Sequence, residues 1–253
     1  AVPHGFGFAD DAPEEGLRLD HMAWPDAIPD APAPMPVAES VLPAIFAAPA
    51  PPPVGAAEVL SPSDLGGAKA LAGADGDLTE VAMERGTLIH LLLETLPAIA
   101  PEDRQEAALA LVADHPLAEE LVAEAMAVLD TPTLRPFFQD TALVEVAVTA
   151  SLDAFPGTRL RGVIDRLLVS HDTVIAVDFK TNRTVPETED KVPEGLLRQM
   201  GAYHAMLRKI YPDKTIETGI LWTRTAIYMP LSENIVTQAL VRARHLDAPA
   251  EGT

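Results

Sequence analysis

Gly162-Val163-Ile164-Asp165-Arg166-Leu167-Leu168-Val169-Ser170, then His171-Asp172, then Thr173-Val174-Ile175-Ala176-Val177-Asp178-Phe179-Lys180 is the stretch on which the fold turns. Two β-rich runs flank two turn residues, the pattern of a hairpin. A two-residue turn at His171-Asp172 makes Ser170 pair with Thr173. Counting back along both strands, that register sets Asp165 opposite Asp178. Directly opposed side chains have Cβ atoms ~4.5–5.5 Å apart. Lys180, two residues beyond Asp178, lies on the same face. Two opposed carboxylates repel, and an apolar setting sharpens the repulsion. Val163, Leu167, Val174 and Ala176 make the setting read as buried, so the pair needs compensation from Lys180 or a divalent cation. The plain structural alternative is a strand-end Asp165 beside an ordinary Asp178–Lys180 ion pair. Acids that close apolar strands often face a functional cleft, which favours the first reading.

Outward from the hairpin, Val144, Val146 and Val148 alternate with Glu145, Ala147 and Thr149, a strand pattern. On the N-terminal side, Val81, Leu88, Ile89, Leu92, Leu93 and Leu96 recur at helical spacing until Pro97. Two Ala/Leu-rich helices are expected over 101–115 and 116–129. Ser61-Pro62-Ser63-Asp64 offers an N-cap followed by Pro at the first helical position. On the C-terminal side a helix is expected over 194–211, strands over 218–223 and 226–231, and a last helix from Ser232 to about Leu246. Helices, three strands, a helix, two strands and a helix define an α/β or α+β domain around a small mixed sheet.

Three flanking features add candidates. Gly86 and His90 are four apart on one helix face, as are Gln199 and Tyr203. Gly86 would let the backbone come close to the sheet. Taken singly, His90 reads as a hydrogen-bonded core histidine, Gln199 as a surface residue and Tyr203 as half-buried. Glu145 is an acid in a strand buried on one face.

Composition bounds the function. The 253 residues hold 38 Asp+Glu, 18 Lys+Arg, 24 Pro, 12 aromatics and no Cys. The absence of Cys excludes a disulfide scaffold, a zinc ribbon and a thiol nucleophile, and is compatible with a reducing cytoplasm. No apolar run approaches the ~18–20 residues of a membrane helix. Ala1-Val2-Pro3-His4 lacks both an initiator Met and a signal-peptide start, which reads as a piece of a longer chain. A net charge of −20 opposes bulk nucleic-acid binding. Residues 1–60 carry net −8 and half of the prolines, residues 61–144 net −11, and residues 145–253 only −1. The last third therefore leaves room for a local basic surface. Residues 1–59, with tracts such as Pro49-Ala50-Pro51-Pro52-Pro53, read as an acidic Pro/Ala-rich linker. The exceptions are Phe6, Phe8, Trp24 and Phe46.

Taken in order, Gly86-Thr87-Leu88-Ile89-His90, Glu145, Gly162-Val163-Ile164-Asp165, Asp178-Phe179-Lys180-Thr181 and Gln199-Met200-Gly201-Ala202-Tyr203 resemble the RecB-type nuclease motifs of the PD-(D/E)xK superfamily. Leu60-Ser61-Pro62-Ser63-Asp64-Leu65 also resembles the segment that opens this domain in AddA subunits of bacterial AddAB helicase–nucleases. The resemblance covers roughly residues 60–246. It implies a restriction-endonuclease-like α/β core, a small central mixed sheet flanked by helices, with residues 60–253 as the nuclease domain and 1–59 as its tether. It implies a metal-dependent DNA nuclease of double-strand-break repair, an exonuclease on single strands, in the bacterial cytoplasm. An AddB-like partner subunit would accompany it. No G-x-x-x-x-G-K-[ST] loop occurs, so the helicase part of such a subunit is missing from this sequence.

By the same resemblance, His90, Asp165 and Asp178 would ligate Mg²⁺ or Mn²⁺, with the Phe179 carbonyl as a further ligand. Lys180 would orient or deprotonate the attacking water. Gln199 and Tyr203 would position the site or hold a DNA phosphate. Glu145 fits the family's acid on the first strand, and Thr181 would contact the phosphate. Arg161, Arg183 and Arg198, with Arg159, Arg166 and Lys191, would line a phosphate track. The alternatives are a catalytically inactive nuclease fold that guides DNA or binds a partner subunit, a stand-alone single-strand exonuclease, and an acidic adaptor.

Overall fold

The computed structural model describes residues 2–6, 14–18, 58–69 and 79–243. The chain divides into two compact units, Ala1–Val54 and Gly55–Thr253. In the first, β1 (Val2–Phe6) pairs antiparallel with β2 (Glu14–Arg18), Val2 opposite Arg18. The linker reading places no strand there, because its weight rests on proline and acid content. Phe8, Trp24, Phe46 and the Pro/Ala tracts lie outside the described residues.

The second unit opens with β3 (Glu58–Leu60) and a 3-10 turn, Pro62–Asp64. Ser61 caps that turn through a bond from the Ser63 N–H. The expected cap is therefore real, but it starts a single turn. Then come α1 (Thr79–Thr95), α2 (Arg104–Leu111) and α3 (Ala118–Asp130). Pro97 ends α1, and Arg104 Nε donates to the Leu96 and Ile99 carbonyls left over beyond it. The helix expected over 101–115 is shorter at both ends. Residues 101–103 form a turn, and Pro116 disfavours helix at His115.

Next are β4 (Ala142–Ser151), β5 (Thr158–Val169), β6 (Thr173–Lys180), α4 (Glu194–Ile210), β7 (Thr215–Trp222), β8 (Ile227–Leu231) and α5 (Glu233–Ala243). These form a six-stranded mixed sheet. Its order is β3-β5-β6-β7-β8, with β4 also on β5. β6 and β7 run parallel, linked by α4, and the other long neighbours are antiparallel. Alternation along β6 feeds two cores. Val174 and Ala176 join α4 and α5 with Leu196, Met200 and Val236. Val177 and Phe179 join α1 and α3 with Ile89, Leu92 and Leu121. Helices thus cover both faces of the central strands, which is why these read as nearly continuous apolar runs. The architecture is the α/β sheet with flanking helices expected from the sequence.

One feature of the sheet places the site. β4 occupies one edge of β5 from Arg159 to Leu168. β3 pairs with residues 158–160 and β6 with residues 166–169, so both share the other edge. Between them, residues 161–165 have no strand partner on that edge among the described residues. Side chains of α4 enter the gap. Tyr203 Oη donates to the Val163 carbonyl at 2.6 Å. Gly162 is needed for this approach: a Cβ there would lie 2.8 Å from the Tyr203 ring and 2.9 Å from Pro62. Val163, read from its neighbours as buried, is 44% exposed, because it lies in the gap and not under a helix.

Candidate active site

The hairpin register is the expected one. Arg166 pairs with Val177 and Val169 with Val174, and the Ser170 N–H donates to Thr173 O. The ladder ends at Arg166–Val177, and the same register carried one step further points Asp165 towards Asp178. The flanking pairs Val144–Arg166 and Val146–Ile164 set Glu145 opposite Asp165 as well. Three carboxylates therefore follow one another across β4, β5 and β6. Ladder pairing lapses along this row, and Glu145 adopts a left-handed backbone, φ 48°. A non-glycine residue in that region costs free energy and clusters at functional sites.

The opposed aspartates take different partners. Asp165 Oδ2 accepts the Phe179 N–H at 2.5 Å, and Asp165 Oδ1 lies 3.2 Å from His90 Nδ1. Asp178 Oδ1 accepts from Gln199 Nε2 at 2.9 Å, and its Oδ2 lies 2.5 Å from Lys180 Nζ. Lys180 is the compensating cation that the sequence demands, and its side chain keeps 21% exposure. Burial pushes the Asp178 carboxyl up, Lys180 pulls it down, and the neighbouring Asp165 pushes it up again, for a net rise.

His90 is partly exposed, not a core histidine. Its Nε2 donates to the Phe179 carbonyl at 3.2 Å, while Nδ1 faces Asp165. Both ring nitrogens thus face oxygen acceptors, which the doubly protonated ring satisfies. Burial works against that charge, but the hydrogen bond and charge of Asp165 outweigh it, and the pKa is raised. Glu145 is raised by burial and by the charges of Asp165 and Glu94. Met83, Gly86, Thr87, His90, Glu94 and Glu145 border an open groove of about 540 Å³, so that His90 and Glu145 face it.

Ligand atoms of His90, Glu145 and Asp165 all lie within 4.8 Å of one another. One imidazole and two carboxylates form a hard donor set that suits Mg²⁺ or Mn²⁺. Deprotonated at Nδ1, His90 offers a lone pair beside two carboxylates while Nε2 still donates to the Phe179 carbonyl, so the residues fit a divalent cation. This grouping shares His90 and Asp165 with the expected ligands. Glu145, the acid of least defined role, belongs to it. Asp178 accepts from Gln199 through one oxygen and faces Lys180 with the other, and its carboxylate keeps lone pairs for a cation. The Phe179 carbonyl borders the cluster through His90.

Gln199 and Tyr203 are both buried, not surface or half-buried. Gln199 Nε2 also approaches Tyr203 Oη at 3.4 Å. Asp178, Gln199, Tyr203 and the Val163 carbonyl form one chain of contacts. Burial first, then Asp178, raises the phenol pKa, which keeps it a donor. Thr181 is half-buried next to α1. A Cβ on Gly86 would meet only Thr181 Oγ1, at 3.5 Å, so close backbone approach does not require that glycine.

The expected basic track divides. Arg159, Arg161, Arg183 and Lys191 are exposed. Arg198 is buried, donating to Leu65 O and Glu194, and Arg166 is buried, donating to Leu93 O at the end of α1. Both guanidiniums hold the fold together and are withdrawn from the track. The sequence shows their charge but not that these faces of α4 and β5 point inward. Sequence reasoning also missed Arg85, Glu124 and Thr223, a buried polar chain behind Lys180. Its one signal was a charged residue, Arg85, beside the Gly86–His90 motif.

This arrangement is that of a nuclease superfamily. Residues 66–250 match the model of the PD-(D/E)XK nuclease superfamily, and the chain belongs to that family. No curated protein matches the sequence. Among solved structures, the chain is similar to SSO0001, with 15% identity and a TM-score of 0.29, over 69% of this chain and 89% of that one.

Proposed function

We propose that residues 60–253 form a Mg²⁺- or Mn²⁺-dependent deoxyribonuclease domain that hydrolyses phosphodiester bonds from the ends of single strands. The observation that carries this reading is the convergence of His90, Glu145 and Asp165 beside the Asp178–Lys180 pair, at the mouth of an open groove. When bound, a divalent cation supplies charge neutralisation at the phosphate and acidity to a water. His90, Glu145 and Asp165 would hold it, with Asp178 and the Phe179 carbonyl as further ligands. Asp178 fixes the Lys180 ammonium, which orients the attacking water and offsets charge on the phosphate. Gln199 and Tyr203 keep Asp178 in place. Thr181, Arg161 and Arg183, with Arg159 and Lys191, guide the strand. Lys180 is partly exposed, as a residue that must meet solvent and substrate has to be.

The biological setting is the C-terminal part of an AddA-like helicase–nuclease subunit acting on double-strand breaks with an AddB-like partner, in a bacterial cytoplasm, with residues 1–59 as the tether. The support is the likeness of Leu60–Leu65 to the opening segment of that domain. In this chain the segment supplies Leu60, the last residue of β3, and the Pro62 contact behind Gly162. Among the described residues no helix is long and apolar enough to cross a membrane.

The test is cleavage of end-labelled single-stranded DNA with Mg²⁺ or Mn²⁺, comparing the wild type with Asp178→Ala and Lys180→Ala. Loss of cleavage in both variants supports the reading. Cleavage that persists in both assigns it to another site. A wild type that neither cleaves nor binds metal leaves the nuclease fold as a module for guiding DNA or binding a partner.

A further inference from the structure

Behind the candidate site lies a polar chain with no part in the chemistry above. Arg85 on α1 and Glu124 on α3 form an ion pair, with only 4% and 7% of their side chains exposed. Arg85 Nε and Nη1 have no hydrogen-bond partner among the described residues, so Glu124 is the main compensation for a buried charge. Glu120, half exposed, stands 3.7 Å away. The second oxygen of Glu124 accepts from Thr223 Oγ1 at 2.5 Å, and the same hydroxyl lies 3.3 Å from the Lys180 carbonyl. Thr223 is fully buried at the end of β7. The β6–β7 ladder stops at Lys180–Trp222, so Thr223 is the first residue past the last rung.

We propose that Thr223, oriented by Glu124 and Arg85, is a positioning residue for Lys180. A strand end that has run out of ladder frays unless its last carbonyl is held. The hydroxyl carries one proton, which goes mainly to the ionised carboxylate. Glu124 thereby fixes the oxygen, and the Lys180 carbonyl takes the weaker arm of a shared bond. On the other side, His90 holds the preceding carbonyl, that of Phe179. The two successive carbonyls at the end of β6 are thus gripped by α1 directly and by α3 through Thr223. The ammonium that leaves this backbone is aimed at Asp178. The catalytic meaning of this grip rests on the nuclease reading; the grip itself does not.

The test uses the full chain with Thr223→Val, which keeps the shape and removes the hydroxyl, and Thr223→Ser, which restores it. Glu124 variants are avoided, because they strand Arg85 as a buried charge. One readout needs no activity: the rate of reductive methylation of Lys180 by formaldehyde and a borane, resolved by mass spectrometry, with exposed Lys191 as internal control. Methylation of Lys180 is expected to rise at least threefold in Thr223→Val and to return to the wild-type rate in Thr223→Ser. In the cleavage assay, kcat is expected to fall at least tenfold in Thr223→Val, with KM within twofold, and to recover in Thr223→Ser. An unchanged Lys180 rate in Thr223→Val overturns the proposal whether or not the protein cuts DNA. So does a change that Thr223→Ser fails to reverse. A raised Lys180 rate in a chain whose wild type neither cuts DNA nor binds metal sustains the grip and removes the nuclease reading.

Discussion

The carboxylate of Asp165 accepts the backbone N–H of Phe179 at 2.5 Å, which ties the middle of β5 to the residue whose carbonyl faces His90. Asp165→Asn keeps an acceptor for that N–H and loses the charge. Its melting temperature is expected to stay close to wild type, with cleavage reduced by about 100-fold or more. Asp165→Ala leaves a buried N–H without an acceptor, at a cost of about 1–3 kcal/mol. Denaturant unfolding of the two variants separates the effects, and equal stabilities would show that the bond contributes nothing.

Metal is expected to stabilise the native chain. A cation that binds only the folded state at about 100 times its Kd adds about 2.7 kcal/mol. For a domain of this size that corresponds to several degrees in Tm. The rise is expected with millimolar Mg²⁺ or Mn²⁺ and lost in His90→Ala. A flat Tm across a metal titration would count against the His90–Glu145–Asp165 cluster.

Tyr203→Phe tests the gap in the sheet. The change deletes the bond to Val163 O and the contact with Gln199. A loss of about 1–2 kcal/mol in urea unfolding is expected, with m unchanged. Cleavage should fall less than in Lys180→Ala, since Tyr203 acts through Gln199 and Asp178. A variant as stable as wild type would mean that the Val163 carbonyl is satisfied in another way.

His204 on α4 sets one arm of the pH dependence. Burial depresses its pKa, opposed by Glu233 at 3.8 Å and assisted by Arg208. A base depressed in the folded state binds its proton more readily when unfolded. Its contribution is therefore complete above the unfolded value of 6.5 and declines as pH falls through and below it. Melting curves between pH 7.5 and 5.5 should show this loss, and His204→Gln should flatten it. Equal slopes in the two proteins would exclude His204 as the source.

The hairpin, its register and the Asp178–Lys180 pair were legible in the sequence because they are local. A two-residue turn and a period of two leave little freedom. His90 and Gln199 were legible through motif order alone, since nothing in a sequence says which helices meet. The features that escaped are non-local or depend on facing. β3 is three residues long and pairs far along the chain. The gap between β3 and β6, which exposes Val163 and admits Tyr203, exists only once three strands meet. Arg166 and Arg198 look like any surface guanidinium until the packing of α1, and of α4 against the 61–65 turn, is known. Glu145 gave no hint of its left-handed backbone, because glutamate has no preference for it.

The pairing of β3 with β5 joins Glu58 to Thr158 and Leu60 to Leu160. Loop closure over so long a span is slow, and three rungs at a sheet edge return little for it. This strand should be the last to arrive during folding and the first to leave in native-state fluctuations. Its departure takes Pro62 from behind Gly162 and loosens Tyr203 in its gap. Amide hydrogens of β3 should therefore exchange fastest in the sheet, and the rate at which they do so should measure how often the back wall of the site opens.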